Sequence, residues 1–254
     1  MPLKRSSSQT LKPSMKRINV WSSPRNISTA FMYSFAQRTD TTVVDEPLYA
    51  HYLSKTDSEA GHPGTEQVLV AQQNDGEAVV GDVIFGEYPT AVALFKQMTH
   101  HLIHLDWSFM LRTENVMLIR NPREIIASYA KVIANPAIHD IGVEKQLDVF
   151  DYLTQNNRLA AVVDARELLL NPKWVLTQLC ERLGLDFEEK MLHWQPGPRP
   201  EDGVWAKYWY TNVHRSSGFE PFVEKNVTLP TQLEALAERC QPFYEKLYQA
   251  ALKA

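Results

Sequence analysis

A chain of 254 residues, 44% hydrophobic and 22% charged, is long and apolar enough to bury one sizeable core. With 30 acidic and 26 basic side chains the formal net charge is −4, which argues against nucleic acid as a bulk electrostatic partner. Two cysteines exclude a disulfide framework and no run approaches the roughly 20 apolar residues of a membrane span, so a cytoplasmic, reducing setting with no membrane partner is expected.

Residues 1–15 are rich in Ser, Lys and Pro without the apolar stretch of a secretory signal, which predicts a flexible tail before one domain at 16–254. The first predicted strand, RINVWS from Arg17, runs into the polar turn SSPRN, and a helical pattern opens at Ser28. A second strand, TTVVDE, starts at Thr41, and a polar Gly/Pro loop follows at 55–66. The strands AVALFKQM from Ala91, NVMLIR from Asn115 and LAAVVDA from Leu159 complete the set. PREIIASYAKVI opens a helix with Pro122 at the first helical position, and NPKWVLTQLCERLGL repeats the device with Pro172 and closes on Gly184. Residues 195–229 mix Pro and Gly with Trp205, Tyr208, Trp209 and Tyr210, which reads either as a functional covering segment or as a loop whose aromatics simply pack it down. A last helix, from about Pro230 to the end, places Leu233, Leu236, Ala237, Cys240, Phe243 and Leu247 on one face. Short apolar runs alternating with amphipathic stretches predict an α/β domain, a central parallel sheet flanked by helices.

The first strand, turn and helix have the layout of a phosphate loop with altered letters. Such a turn presents backbone N–H groups and a positive helix end, so it attracts anions whatever its side chains. Ser28 and Thr29 add hydroxyls, and Arg25 adds a permanent charge that can fork onto phosphate oxygens. An ordinary turn with a capping serine is the competing reading. No lysine precedes Ser28-Thr29 and no apolar strand ends in a plain magnesium-binding Asp, so no metal is expected; the tandem His100-His101 lacks a third ligand at a recognisable spacing. Arg120 falls at the C-terminal end of a predicted strand, where open parallel sheets bind ligands, and Ser128 follows in the next helix.

SSPRNISTAF and LIRNPREIIASY, in that order, resemble the two nucleotide segments of the sulfotransferases that use 3′-phosphoadenosine 5′-phosphosulfate (PAPS), a P-loop-like family. VVDARELLLNPKWVLTQLCERLGLDFEEKML is similar to that family's following strand and helix, so the likeness covers most of residues 16–195. The resemblance implies that Arg25, Asn26, Ile27, Ser28, Thr29 and Ala30 hold the 5′-phosphosulfate, and that Arg120 and Ser128 hold the 3′-phosphate. Arg215 and Gly218, in HRSSGF, echo the family's late glycine motif. Asn26-Ile27 stand where glycine is common in the family, which leaves the backbone conformation of the loop open, although Asn tolerates the left-handed region better than most residues. Asp164-Ala165-Arg166-Glu167 replaces the family's Tyr-Glu-Asp and reads as structural. The implied reaction moves a sulfonate from PAPS, leaving PAP, to a hydroxyl or amine of a small acceptor, with no metal. It needs a base; Glu46 is favoured over His100, with His101 and Lys96 next. Two rivals stay open, a P-loop nucleotide kinase and a non-catalytic PAP-binding sensor.

Overall fold

Branched and apolar runs become the five strands of one sheet in the computed structural model, which describes residues 15–56, 62–131, 136–224 and 227–254. Residues 1–14 of the expected tail, 57–61 of the polar loop, 132–133 at the end of the PREIIASYAKVI stretch and 225–226 of the covering segment lie outside the described residues. Strands β1 (Lys16–Ser22), β2 (Thr41–Asp45), β3 (Val92–Met98), β4 (Glu114–Ile119) and β5 (Leu159–Asp164) are all parallel, in the order β2-β3-β1-β4-β5. Each predicted strand is thus present, and the α/β class holds.

Side chains alternate between the sheet's two faces, as the two-residue period of a strand requires. Trp21, Phe95, Met117 and Val162 join one core cluster. Val20, Leu94, Val116 and Val163, their neighbours in sequence, join the other. Both faces are therefore buried, which is why these strands read as continuous apolar runs.

The helices that fix the site are α1 (Ser28–Ala36), α2 (Tyr49–Lys55), α3 (Thr65–Ala71), α4 (Pro122–Tyr129), α5 (Val143–Gln155), α6 (Ala165–Leu170), α7 (Pro172–Leu183) and α8 (Thr231–Gln249). α1 and α7 cover one face, while α4, α5 and α8 cover the other. Caps follow from sequence: Asn121 accepts the Arg123 N–H at 2.9 Å, Asn171 accepts the Trp174 N–H at 3.2 Å, and α7 stops at Gly184, whose φ of 60° suits glycine. Asp164 caps α6 through the Arg166 and Glu167 N–H groups and accepts the Tyr244 hydroxyl at 3.0 Å, which gives the Asp-Ala-Arg-Glu stretch a structural part. On α8 the burial of Leu233, Leu236, Ala237, Cys240 and Leu247 matches the expected stripe, but Tyr244 rather than Phe243 is its buried aromatic. The helices α2 and α3 stand where sequence reading drew none. A third cluster, with Tyr49, Leu53 and Val68 from α2 and α3, holds Trp205 and Tyr210 of the covering segment.

Beyond α8 the chain returns to the open side of β5, where Ala251 forms a parallel bridge with Val162 and the Leu252 N–H reaches the Val162 carbonyl at 2.9 Å. Cys180 and Cys240 are buried free thiols. Among the described residues no helix is long and apolar enough to cross a membrane.

Candidate active site

β1, β2, β3 and β4 end at one cleft of about 720 Å³, roofed by the covering segment. One end of it is the turn from β1 into α1. The first helical bond runs from Phe31 N–H to the Ile27 carbonyl at 2.9 Å, so the amides of Ser28, Thr29 and Ala30 precede the helix's own bonding, and no side chain caps them. These four residues, Ile27 to Ala30, line the cleft.

Arg25 has a φ of 56°, so the left-handed residue of the turn is Arg25 and not Asn26. Asn26 instead ties the turn down: its amide donates to the Leu118 carbonyl on β4 at 3.0 Å, and its oxygen accepts the Ile27 N–H at 2.8 Å. Its side chain is thereby engaged with backbone.

Arg25 Nε donates to Ser128 Oγ at 3.1 Å, and the guanidinium lies 5.9 Å from the Trp209 ring centre. Arg120, just past the end of β4, donates from Nη1 to the Arg25 carbonyl at 2.9 Å and pairs with Glu124 at 2.7 Å. The Arg25 pKa is lowered, by burial first and then by the Arg120 charge beside it. Two guanidiniums held together with one carboxylate leave net positive charge, next to free amides at a helix start. A phosphate or sulfate group fits that donor set.

At the other end, Glu46 follows β2 with a φ of 41° and is 6% exposed. Lys96 Nζ on β3 donates to Glu46 Oε1 at 2.5 Å, to Asp45 Oδ1 at 2.9 Å and to the Tyr210 hydroxyl at 2.6 Å. Glu46 Oε2 has no hydrogen-bond partner among the described residues. Burial raises the Glu46 pKa, with the Lys96 ammonium working against it and the Asp45 charge adding to it. Burial opposes the Lys96 charge, but Asp45 and Glu46 outweigh it and hold the ammonium well above its ordinary value.

His100 and His101 form the floor beside α2. The His101 ring is stacked between Tyr49 and Tyr52, with centroids 5.0 and 4.9 Å away, and its Nδ1 is buried without a partner. His100 meets the Tyr52 ring edge-on at 5.0 Å. Burial, then the neighbouring His62, pushes the His100 pKa down to about 3, and burial drives His101 well below its usual value.

Of the residues singled out from sequence, Arg25, Asn26, Ile27, Ser28, Thr29, Ala30, Glu46, Lys96, His100, His101, Arg120, Ser128 and Gly218 share this cleft. Arg215 does not: it is exposed, in the turn Val213–Arg215, and lies outside the lining. Gly218 bridges His193, and an added Cβ would come 2.8 Å from the Leu192 carbonyl oxygen. Sequence reading missed Asp45 and the polar part of Tyr210. The only sequence signal for them was the paired acid in VVDE and the aromatic richness of the covering segment. Among the described residues no group of three or more His, Cys, Asp or Glu is placed to hold a metal ion.

A five-stranded parallel sheet flanked by helices, with a strand–helix turn offering free amides and an arginine past the neighbouring strand, defines an α/β domain whose cleft suits an anionic ligand. The chain belongs to the sulfotransferase domain family, whose model matches residues 15–251. Branched-chain-amino-acid aminotransferase-like protein 1 of Arabidopsis thaliana is 41% identical over 231 residues, which is 91% of this chain and 41% of that protein. Protein 2 of the same name and plant is 37% identical over 234 residues, 92% of this chain and 41% of that one. The chain thus spans about two fifths of the length of these curated relatives. In fold it is similar to the sulfotransferase domain from the Synechococcus PCC 7002 olefin synthase, with a TM-score of 0.55 at 19% identity over 93% of this chain and 98% of that one.

Proposed function

We propose that this protein is a PAPS-dependent sulfotransferase that moves a sulfonate to a hydroxyl or amine of a small acceptor, leaving PAP. The observation that carries the reading is one cleft with the Arg25 and Arg120 turns at one end, tied together by the 3.1 Å Arg25–Ser128 bond, and a buried carboxylate at the other. PAPS, when bound, supplies the activated sulfonate. The amides of Ser28 to Ala30 and the Arg25 guanidinium hold its 5′ end and stabilise the negative charge that gathers on the departing oxygen. Arg120 and Ser128 hold the 3′-phosphate. Glu46 is the base, taking the acceptor's proton through Oε2, while Lys96 fixes Oε1. His100 lies in the same cleft, but burial makes its imidazole a weak proton acceptor.

This donor set suits a nucleotide without a bound metal, because two guanidiniums and helix amides supply the positive charge. A cytoplasmic setting suits Cys180 and Cys240, both buried as free thiols. The test is an untargeted search for a mass gain of one SO3 in small-molecule extracts given the protein and PAPS. Turnover of ATP with magnesium and none of PAPS would replace this reading with the kinase one; tight PAP binding with no labelled sulfonate passed to any acceptor would favour a sensor.

A further inference from the structure

Behind Glu46 stands a closed set of hydrogen bonds that the chemistry above does not use in full. The Lys96 ammonium has three protons and three acceptors: Asp45 Oδ1, Glu46 Oε1 and the Tyr210 hydroxyl. The Tyr210 hydroxyl donates onward to Asp45 Oδ2 at 2.7 Å and accepts from Trp205 Nε1 at 3.1 Å. Asp45 Oδ2 also receives the Gly203 N–H at 3.2 Å. Gly203, Trp205 and Tyr210 all belong to the covering segment, whereas Asp45 and Lys96 lie on β2 and β3 and Glu46 directly follows β2.

The backbone of Glu46 is pinned on both sides. Its N–H donates to the Lys96 carbonyl at 2.9 Å, and its carbonyl accepts the Gln72 amide at 3.1 Å. The carboxylate is then the part still free to turn, and Lys96 stops it. Enclosing one ammonium with two carboxylates is poor design for stability alone, since apolar side chains of similar volume do as well or better. A working role explains the arrangement.

We infer that Asp45, Lys96 and Tyr210 are positioning residues for Glu46, and that the carboxylate takes its working orientation only while the segment carrying Tyr210 lies over the cleft. The inference rests on the reading of Glu46 as the base. Withdrawing the segment removes an acceptor from Lys96 and two donors from Asp45 Oδ2. Lys96 then has a proton without an acceptor and Asp45 Oδ2 has no donor, so the ammonium, already bonded to Asp45 Oδ1, shifts to take both Asp45 oxygens and its hold on Glu46 Oε1 is lost. Proton removal is thereby confined to the covered cleft, where water is excluded.

Tyr210→Phe keeps the ring and removes the hydroxyl. The expected result is a loss of about 10²-fold in kcat, the cost of a mispositioned catalytic group, with PAP affinity unchanged. Asp45→Asn should act likewise, and the double variant should lose no more than the worse single one, because both work through one unit. A second measurement needs no acceptor. The groups facing Glu46 are Asp45 just before it at the end of β2, Lys96 on β3, Tyr49 on α2 and Tyr210 above it. Removing the Asp45 charge leaves Lys96 to Glu46, so Asp45→Asn should lower the midpoint of the Glu46 carbon-13 carboxyl titration by about one pH unit or more. Absence of PAPS turnover in the unmodified protein brings down the functional reading alone. A Tyr210→Phe protein with full kcat, or an unmoved Glu46 midpoint in Asp45→Asn, overturns the positioning role.

Discussion

Glu46 and His100 share a cleft, yet burial acts on them in opposite chemical senses: it raises the carboxyl and depresses the imidazole to about 3. A base works best when its pKa approaches the operating pH, and only the carboxyl moves that way. Glu46→Gln should therefore cut turnover by about 10²- to 10⁴-fold while PAP binding is kept, and His100→Ala should retain turnover. The opposite pattern would transfer the base to His100. Since the working form is deprotonated, activity should fall with pH through a value above the ordinary 4.5 of a glutamate, with no limb from His100 near 6.5. The same imidazoles bear on stability. In the unfolded chain each binds a proton near pH 6.5, whereas His62, His100 and His101 resist protonation when folded. The unfolded state takes up more protons as pH drops, so this contribution is complete above about pH 6.5 and declines as pH falls toward the folded values. The melting temperature should decrease between about pH 6.5 and pH 5, and a flat profile would show that these imidazoles take up protons as readily in the fold as in the unfolded chain.

At the scale of elements, the turns that carry Arg25 and Arg120 were legible because each is followed by a helix whose start carries punctuation with a mechanism. Asn121-Pro122 and Asn171-Pro172 announce helix starts, Gly184 a helix end, and Ser28 the start of α1. The short helices α2 and α3, seven residues each, were not legible, since so brief a run shows no clear period and depends on the contacts its fold supplies. The conformation of the loop was not legible: the sequence offered Asn26 as a residue that tolerates the left-handed region, but the left-handed residue is Arg25, while the Asn26 side chain is held by Leu118 on another strand. Arg25→Ala should lower kcat more than it weakens PAP binding, as its contact strengthens with charge on the departing oxygen. An equal or larger effect on PAP affinity with kcat preserved would make Arg25 a ground-state contact. Asp164→Ala removes the cap of α6 and a bond to Tyr244, and urea unfolding should show a loss of at least about 1 kcal/mol.

Across the whole molecule, the five strand runs were readable, but the link from Tyr210 to Asp45 was not, because it joins positions 165 residues apart. No local pattern reports such a pair; it exists only once the sheet has formed and the covering segment has settled on α2 and α3. The anion end can be tested as a unit. PAP at 100 times its Kd should stabilise the fold by about 2.7 kcal/mol and raise the melting temperature clearly. 5′-AMP, which leaves Arg120 and Ser128 without a phosphate, should raise it much less, and Arg120→Ala should erase most of the difference. A larger rise with ATP and magnesium than with PAP would sink the sulfotransferase reading. The return of the chain to β5 has a different consequence. An uncovered strand is a template for pairing with other chains, and the Ala251 bridge and Leu252 N–H occupy that side of β5 at Val162. Removing residues 250–254 should therefore leave the PAP site intact yet make the protein self-associate on mild heating, visible as light scattering below the melting temperature of the full chain.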